Sequence, residues 1–161
     1  MTAPTHLTGQ DNYFEDFAVG EVFRHQRGRT VMEFDNVALT LLMMNTAQPH
    51  FNEVEMAGTE FGTRITFGGV VASFVLGLAS QDTAEQAVRE VGLDRVRFTA
   101  PVRHGDTLFA YTKVLERSEP FLQDGVRAGE TLFRHFGVNQ DDVVVAEIDR
   151  RVVLRCRPDG S

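Results

Sequence analysis

Residues 65–79, Ile-Thr-Phe-Gly-Gly-Val-Val-Ala-Ser-Phe-Val-Leu-Gly-Leu-Ala, hold a glycine pair at Gly68–Gly69 and no charged side chain. The apolar residues Val70, Val71, Phe74, Val75, Leu76 and Leu78 fall on every face of a helical wheel. A helix of this composition has to be surrounded by protein rather than laid on a surface. It is too short and too glycine-rich to span a bilayer, which takes about 20 apolar residues, and Gln81–Asp82 closes it with polar groups. The rest of the chain must supply its wrapping.

Residues 1–12 are polar and read as a loose, flexible tail. Val19-Gly20-Glu21 is a turn leading into a first strand over residues 21–29. Thr30 and Glu33 have the spacing of a capping box. Val31, Phe34, Val37, Ala38, Leu41 and Leu42 then recur at helical spacing, predicting an amphipathic helix to residue 44 or 45. Gln48 precedes Pro49 and is biased away from the α region, so residues 46–50 form an extended or turning loop. Residues 53–58 suit a short helical turn, 59–64 a loop, and 84–91 a polar connection of helical character ended by Gly92.

From residue 95 onward everything reads as strand. Residues 95–102 alternate until Pro101 breaks them, and residues 106–116 carry Leu108, Ala110, Thr112 and Val114 on one face. Residues 130–138 and 143–156 are joined by the turn Asn139-Gln140-Asp141-Asp142, and Arg150 alone interrupts the inward face of the last strand. Antiparallel sheets commonly bury one face and wet the other. The reading is therefore α+β, with a meander of four strands curled around the apolar helix and residues 13–157 forming one domain.

The net charge of −7 argues against a general nucleic-acid or anionic-membrane binder, since both need a concentrated positive face. Fifteen of the sixteen basic residues are arginine, so an anionic ligand remains open wherever they cluster. One cysteine, Cys156, excludes an intrachain disulfide framework, and the Cys/His spacings of structural zinc are absent, so no metal is expected. With no basic n-region ahead of an apolar run, the N-terminus predicts a cytoplasmic protein.

Chemistry concentrates just before the apolar helix. The amphipathic helix delivers Asn45 at its end, and the loop that follows folds His50 back towards it, so two polar side chains five apart face one cavity. Taken singly, Asn45 also suits the left-handed position ending a helix, and His50 suits an ordinary surface loop. Gly69 opens the apolar helix, where unpaired N–H groups and a positive partial charge can stabilise a developing oxyanion. The same glycine pair also fits plain tight packing. Arg95, Arg97 and Arg103 flank the turn after residue 98, where guanidinium forks suit phosphate. His104 lies in that turn with no evident partner.

In order and spacing, YFEDFAVGEVF, RTVMEFDNVALTLLMMN, NTAQPHFN, FGTRITFGGVVASFVLGL and VRFTAPVRHGDTL resemble the MaoC-like dehydratases, the hot-dog-fold family that contains the (R)-specific enoyl-CoA hydratases. The resemblance runs from Tyr13 to about Arg157. It implies a single hot-dog domain and an active pair at Asn45 and His50, with the Gly69 N–H binding the thioester oxygen. It implies a hydro-lyase acting on a trans-2-enoyl-CoA, and a homodimer or higher homo-oligomer with the active sites at the interface. Short, branched or dicarboxylic acyl groups of the mesaconyl-CoA type are the candidates. Coenzyme A enters as part of the substrate, so no separate cofactor is expected, and Arg64, Arg97 and Arg103 are the candidates for holding it.

Typical members carry aspartate where this chain has Asn45, and an Asn-Pro pair where it has Ala47-Gln48-Pro49. An amide exchanges no proton, so the paired acid/base scheme does not transfer unchanged. His50 is then the base, and Asn45 orients the water. Two alternatives stand beside this: a non-catalytic acyl-CoA-binding or partner subunit, and a hot-dog thioesterase drawing a carboxylate from Glu53 or Glu55.

Overall fold

The computed structural model describes residues 12–158 and, ahead of them, the backbone of Thr5–His6. A seven-stranded sheet runs in the order β1-β2-β4-β6-β7-β3, with β5 paired to β6 off this path. Its strands are β1 (Thr5–His6), β2 (Val22–Thr30), β3 (Ala87–Phe98), β4 (Thr107–Arg117), β5 (Phe121–Gln123), β6 (Val126–Val138) and β7 (Val144–Arg155). All pairings are antiparallel except β1 with β2. Among the described residues three α-helices accompany them: α1 (Glu33–Leu42), the single turn α2 (Glu53–Met56) and the central α3 (Gly68–Thr83). The sheet curls around α3 in the hot-dog arrangement. Among the described residues no helix is long and apolar enough to cross a membrane.

Most of the segment read as a tail lies outside the described residues. Within it, Thr5–His6 pair with Arg24–His25, and Asn12 is buried with its Nδ2 donating to the Asp82 carbonyl at 2.7 Å.

The alternation on β4 is as the sequence predicts, with Leu108, Ala110, Thr112 and Val114 fully buried. Two apolar clusters form on the inner face. One packs Val71, Val75 and Ala79 of α3 against Leu108, Ala110, Ala146 and Ile148. The other gathers Phe14, Phe17, Phe23, Val114, Phe133, Val152 and Leu154. A buried polar layer lies between them. His25 Nδ1 meets Asp82 Oδ2 at 2.5 Å, His25 Nε2 meets the Thr112 hydroxyl at 2.6 Å, and that hydroxyl meets His135 Nδ1 at 2.8 Å. Arg150, the predicted interruption, is satisfied by both Glu90 carboxylate oxygens and the Ser80 hydroxyl.

Five expectations are corrected. Residues 84–91 are not helical, because β3 begins at Ala87 and Gly92 lies inside it; β3 is polar because it is an edge strand, solvated along one side. The four later strands are not a simple meander, since β3 crosses to the far edge beside β7. Helix α1 starts later than the Thr30–Glu33 box, because the Thr30 hydroxyl is engaged with Thr107 across the β2–β4 ladder. Instead the Asp35 carboxylate accepts the Met32 N–H at 3.0 Å.

The fourth concerns which faces are covered. Asn36 and Thr40 are the buried residues of α1, while Phe34 and Leu42 of its apolar stripe are 78% and 79% exposed. Likewise α3 is not wrapped on every side, since Ser73 and Gly77 are exposed. The helix also runs past Gln81 to Thr83, because Asp82 is consumed by His25.

Candidate active site

Helix α1 ends in a Schellman motif. Met44 takes the left-handed conformation at φ 59°, its N–H donating to the Leu41 carbonyl at 2.9 Å while the Asn45 N–H reaches back to Thr40 at 3.0 Å. Asn45 thus sits one residue beyond the left-handed position. A 3₁₀ turn at Gln48–His50 follows, with Pro49 pre-set for it.

The segment ahead of α3 is clamped by three successive N–H groups that bond to three different parts of the chain. Ile65 donates to the Pro49 carbonyl at 3.0 Å, Thr66 to the Val102 carbonyl at 2.7 Å, and Phe67 to Asn36 Oδ1 at 3.0 Å. The His50 loop, the turn after β3 and helix α1 are thereby fixed around one point. Gly68 and Gly69 follow in the first turn of α3, where their N–H groups take no hydrogen bond among the described residues. These are the free donors a helix N-terminus leaves.

Beside this clamp lies a cavity of about 350 Å³, walled by His50, Phe61, Ile65, Thr66, Gly68, Val71 and the end of β3 through Val102. The His50 ring is 5.4 Å from that of Phe67, and its Nδ1 is 2.9 Å from the Ile65 carbonyl. A carbonyl only accepts, so Nδ1 carries a proton, and in the neutral ring Nε2 then holds the lone pair. That is the tautomer a general base needs.

Of the sequence candidates, His50 lies in the cavity wall, and Gly68 rather than Gly69 lines it. A Cβ at Gly69 would come within 2.5 Å of the Phe67 ring and one at Gly68 within 2.6 Å of the Phe98 ring. Asn45 Oδ1 accepts the Ala47 N–H at 2.9 Å, and among the described residues no hydrogen bond joins Asn45 to His50.

Arg64 bridges Glu33 and Glu53, at 2.8 Å each. Its guanidinium, with the Thr63 hydroxyl and the Arg64 N–H, holds the Glu53 carboxyl down at about 2. Arg103 donates to the Phe61 carbonyl at 3.2 Å at the edge of the cavity, and Arg97 is exposed on β3. Neither Glu53 nor Glu55 lines the cavity.

One residue that sequence reasoning missed is Asn36, which is fully buried. Besides accepting from Phe67, its Oδ1 accepts the Thr40 hydroxyl at 3.2 Å, and its Nδ2 donates to His104 Nε2 at 3.0 Å and, at 3.4 Å, to the His50 carbonyl. It gives His104 the partner the sequence did not suggest. Burial, then the charge of Arg64, lowers the His104 pKa, which agrees with a neutral ring accepting at Nε2. The available signal was the pair Asn36 and Thr40, one helical turn apart and off the apolar stripe.

The mesaconyl-CoA hydratase family model matches residues 4–155. A mesaconyl-CoA hydratase of Haloarcula marismortui is 32% identical over 165 residues, covering 96% of this chain and 45% of the relative. An (R)-specific enoyl-CoA hydratase of Rhodospirillum rubrum is 32% identical over 64% of this chain and 69% of its own length. Among solved structures, a putative MaoC domain protein dehydratase from Chloroflexus aurantiacus superposes with a TM-score of 0.83 at 26% identity, over 94% of this chain and 46% of that one. The chain covers 45%, 33% and 32% of the length of three mesaconyl-CoA hydratase relatives that it matches. With the helix, the glycine pair and the His50 loop placed as they are, the chain belongs to the mesaconyl-CoA hydratase family of MaoC-like hot-dog proteins.

Proposed function

We propose that this protein is a hydro-lyase that reversibly adds water across the double bond of a trans-2-enoyl-CoA to give a 3-hydroxyacyl-CoA. The observation that carries the reading is His50, whose Nδ1–H is committed to the Ile65 carbonyl in the wall of a largely apolar cavity. His50 Nε2 takes one proton from water as the oxygen bonds to Cβ. The π pair moves through Cα onto the thioester oxygen, which the free N–H groups at the start of α3 receive, that of Gly68 in the cavity wall and that of Gly69 beside it. One such donor is worth about 3 kcal/mol in a studied acyl-transfer enzyme.

The proton on His50 then returns to Cα, so hydrogen and hydroxyl are both delivered and nothing else is consumed. One histidine serves both steps because Asn45 exchanges no proton; its Nδ2 remains to orient the water. Arg97 and Arg103 are the candidates for the coenzyme A phosphates, whereas Arg64 is already paired by two carboxylates. A short, branched acyl chain fits a cavity of about 350 Å³, and the dicarboxylic mesaconyl group is the alternative that the relatives' names suggest.

The site is proposed to be completed by a second hot-dog module, a second copy of this chain. Phe34, Leu42, Met44 and Val54 are 78–90% exposed, and the free edge of β3 shows Leu93, Val96 and Phe98 at 43–51%. Phe98 also walls the cavity. Light scattering on the purified protein should give twice the mass of one chain.

The activity test is a panel of short, branched and dicarboxylic enoyl-CoAs, followed by loss of conjugated-thioester absorbance and a gain of one water in product mass. Binding without turnover would favour the partner-subunit reading, and release of free thiol would favour a thioesterase.

A further inference from the structure

Thr66 is 5% exposed, and its hydroxyl is buried with no partner among the described residues, although it belongs to the cavity wall. Buried hydroxyls are nearly always hydrogen-bonded, so an orphan at a cavity calls for a missing oxygen or nitrogen. Its position is tightly set. The Thr66 N–H is bonded to Val102, its neighbours are bonded to Pro49 and Asn36, and a β-branched side chain has few rotamers to escape into.

The other hydroxyl of the wall, on Thr99, is already spent on the Val144 carbonyl at 2.5 Å. Of the side-chain polar atoms on the residues of the wall, His50 Nε2 and Thr66 Oγ1 are the two without a partner among the described residues. Thr66 directly follows Ile65, whose carbonyl holds the His50 ring, and directly precedes Phe67, which packs beside that ring.

We infer that the Thr66 hydroxyl is the second holder of the reacting oxygen: it hydrogen-bonds the attacking water, and then the 3-hydroxyl of the product, while His50 Nε2 takes the proton. This rests on the hydratase reading and supplies the partner that Asn45, turned to Ala47, does not provide through its oxygen. The step needs no further reactant, because Thr66 orients the oxygen and exchanges no net proton. Thr66 makes the cavity selective for a 3-oxygenated acyl chain over its saturated counterpart.

The test compares Thr66→Val, which keeps the side-chain shape and removes the hydroxyl, with Thr66→Ser, which keeps the hydroxyl. Thr66→Val should lower kcat for crotonyl-CoA about 10- to 100-fold with KM within about threefold, and Thr66→Ser should stay within about fivefold of wild type. The Tm of Thr66→Val should equal or exceed that of wild type, because a buried unpaired hydroxyl is replaced by a methyl group. A Thr66→Val enzyme with unchanged kcat, or one that loses several degrees of Tm, would make Thr66 a structural residue only.

Calorimetric binding of 3-hydroxybutyryl-CoA against butyryl-CoA gives a second reading that does not depend on turnover. Wild type should prefer the hydroxylated ligand by about fivefold or more, and Thr66→Val should lose that preference. Equal preference in the two proteins overturns the inference even if hydration is observed. A preference that depends on Thr66 in a protein inert towards every enoyl-CoA sustains it while the hydratase reading fails.

Discussion

Replacing Asn36 by alanine should be among the most damaging single changes near the site, because one fully buried amide joins four groups. The Phe67 N–H would lose its acceptor, His104 Nε2 its donor and the His50 carbonyl a long 3.4 Å contact, while the Thr40 hydroxyl can fall back on a helical carbonyl. A neutral hydrogen bond is worth about 1 kcal/mol net, and a buried donor left unpaired costs about 1–3. The sum is about 3–5 kcal/mol, a large part of the 5–15 or so that holds a domain together.

Urea denaturation of wild type, Asn36→Ala, His104→Ala and the double variant measures it. His104→Ala alone should cost about 1 kcal/mol, and the double variant should lose less than the sum of the two, because their shared bond is removed once. An Asn36→Ala protein within about 1 kcal/mol of wild type, or strict additivity with His104→Ala, would refute the hub.

Burial, then the charges of Arg150 and His25, pushes the His135 pKa well below 6.5, so the unfolded chain binds a proton there that the folded chain refuses. The corresponding stability is present above pH 6.5 and is lost as pH falls below it. His135→Gln should flatten the slope of unfolding free energy between pH 6.5 and 5 by up to about 1.4 kcal/mol per pH unit; an unchanged slope would mean another group titrates. Asn45→Asp keeps an acceptor for the Ala47 N–H and should change kcat/KM by less than about tenfold. Activity appearing only in Asn45→Asp would mean that the histidine does not carry both proton steps.

The sheet strands with a buried alternating face were legible because their period is carried by apolar side chains: β4 shows Leu108, Ala110, Thr112 and Val114 where the pattern puts them. β3 was half missed, since its first residues, including Arg89 and Glu90, pair on one side only and keep the polar composition of an edge. Periodicity also misjudged α1, for it shows that Phe34, Leu41 and Leu42 share a stripe and not whether this chain or another surface covers it. At the site, the His50 loop and the glycine pair were visible as local chemistry. Asn36 and Thr66 were not, because all but one of the partners of Asn36 lie 14 to 68 residues away and the backbone partner of Thr66 lies 36 away.

The measurement that bears most directly on the central claim is the hydration rate of one short enoyl-CoA by wild type and His50→Ala, read side by side as loss of conjugated-thioester absorbance. A single histidine that both takes and returns the proton predicts measurable turnover in wild type and a fall of about 10²- to 10⁴-fold on its removal. Equal rates in the two proteins, or turnover in neither, would contradict it.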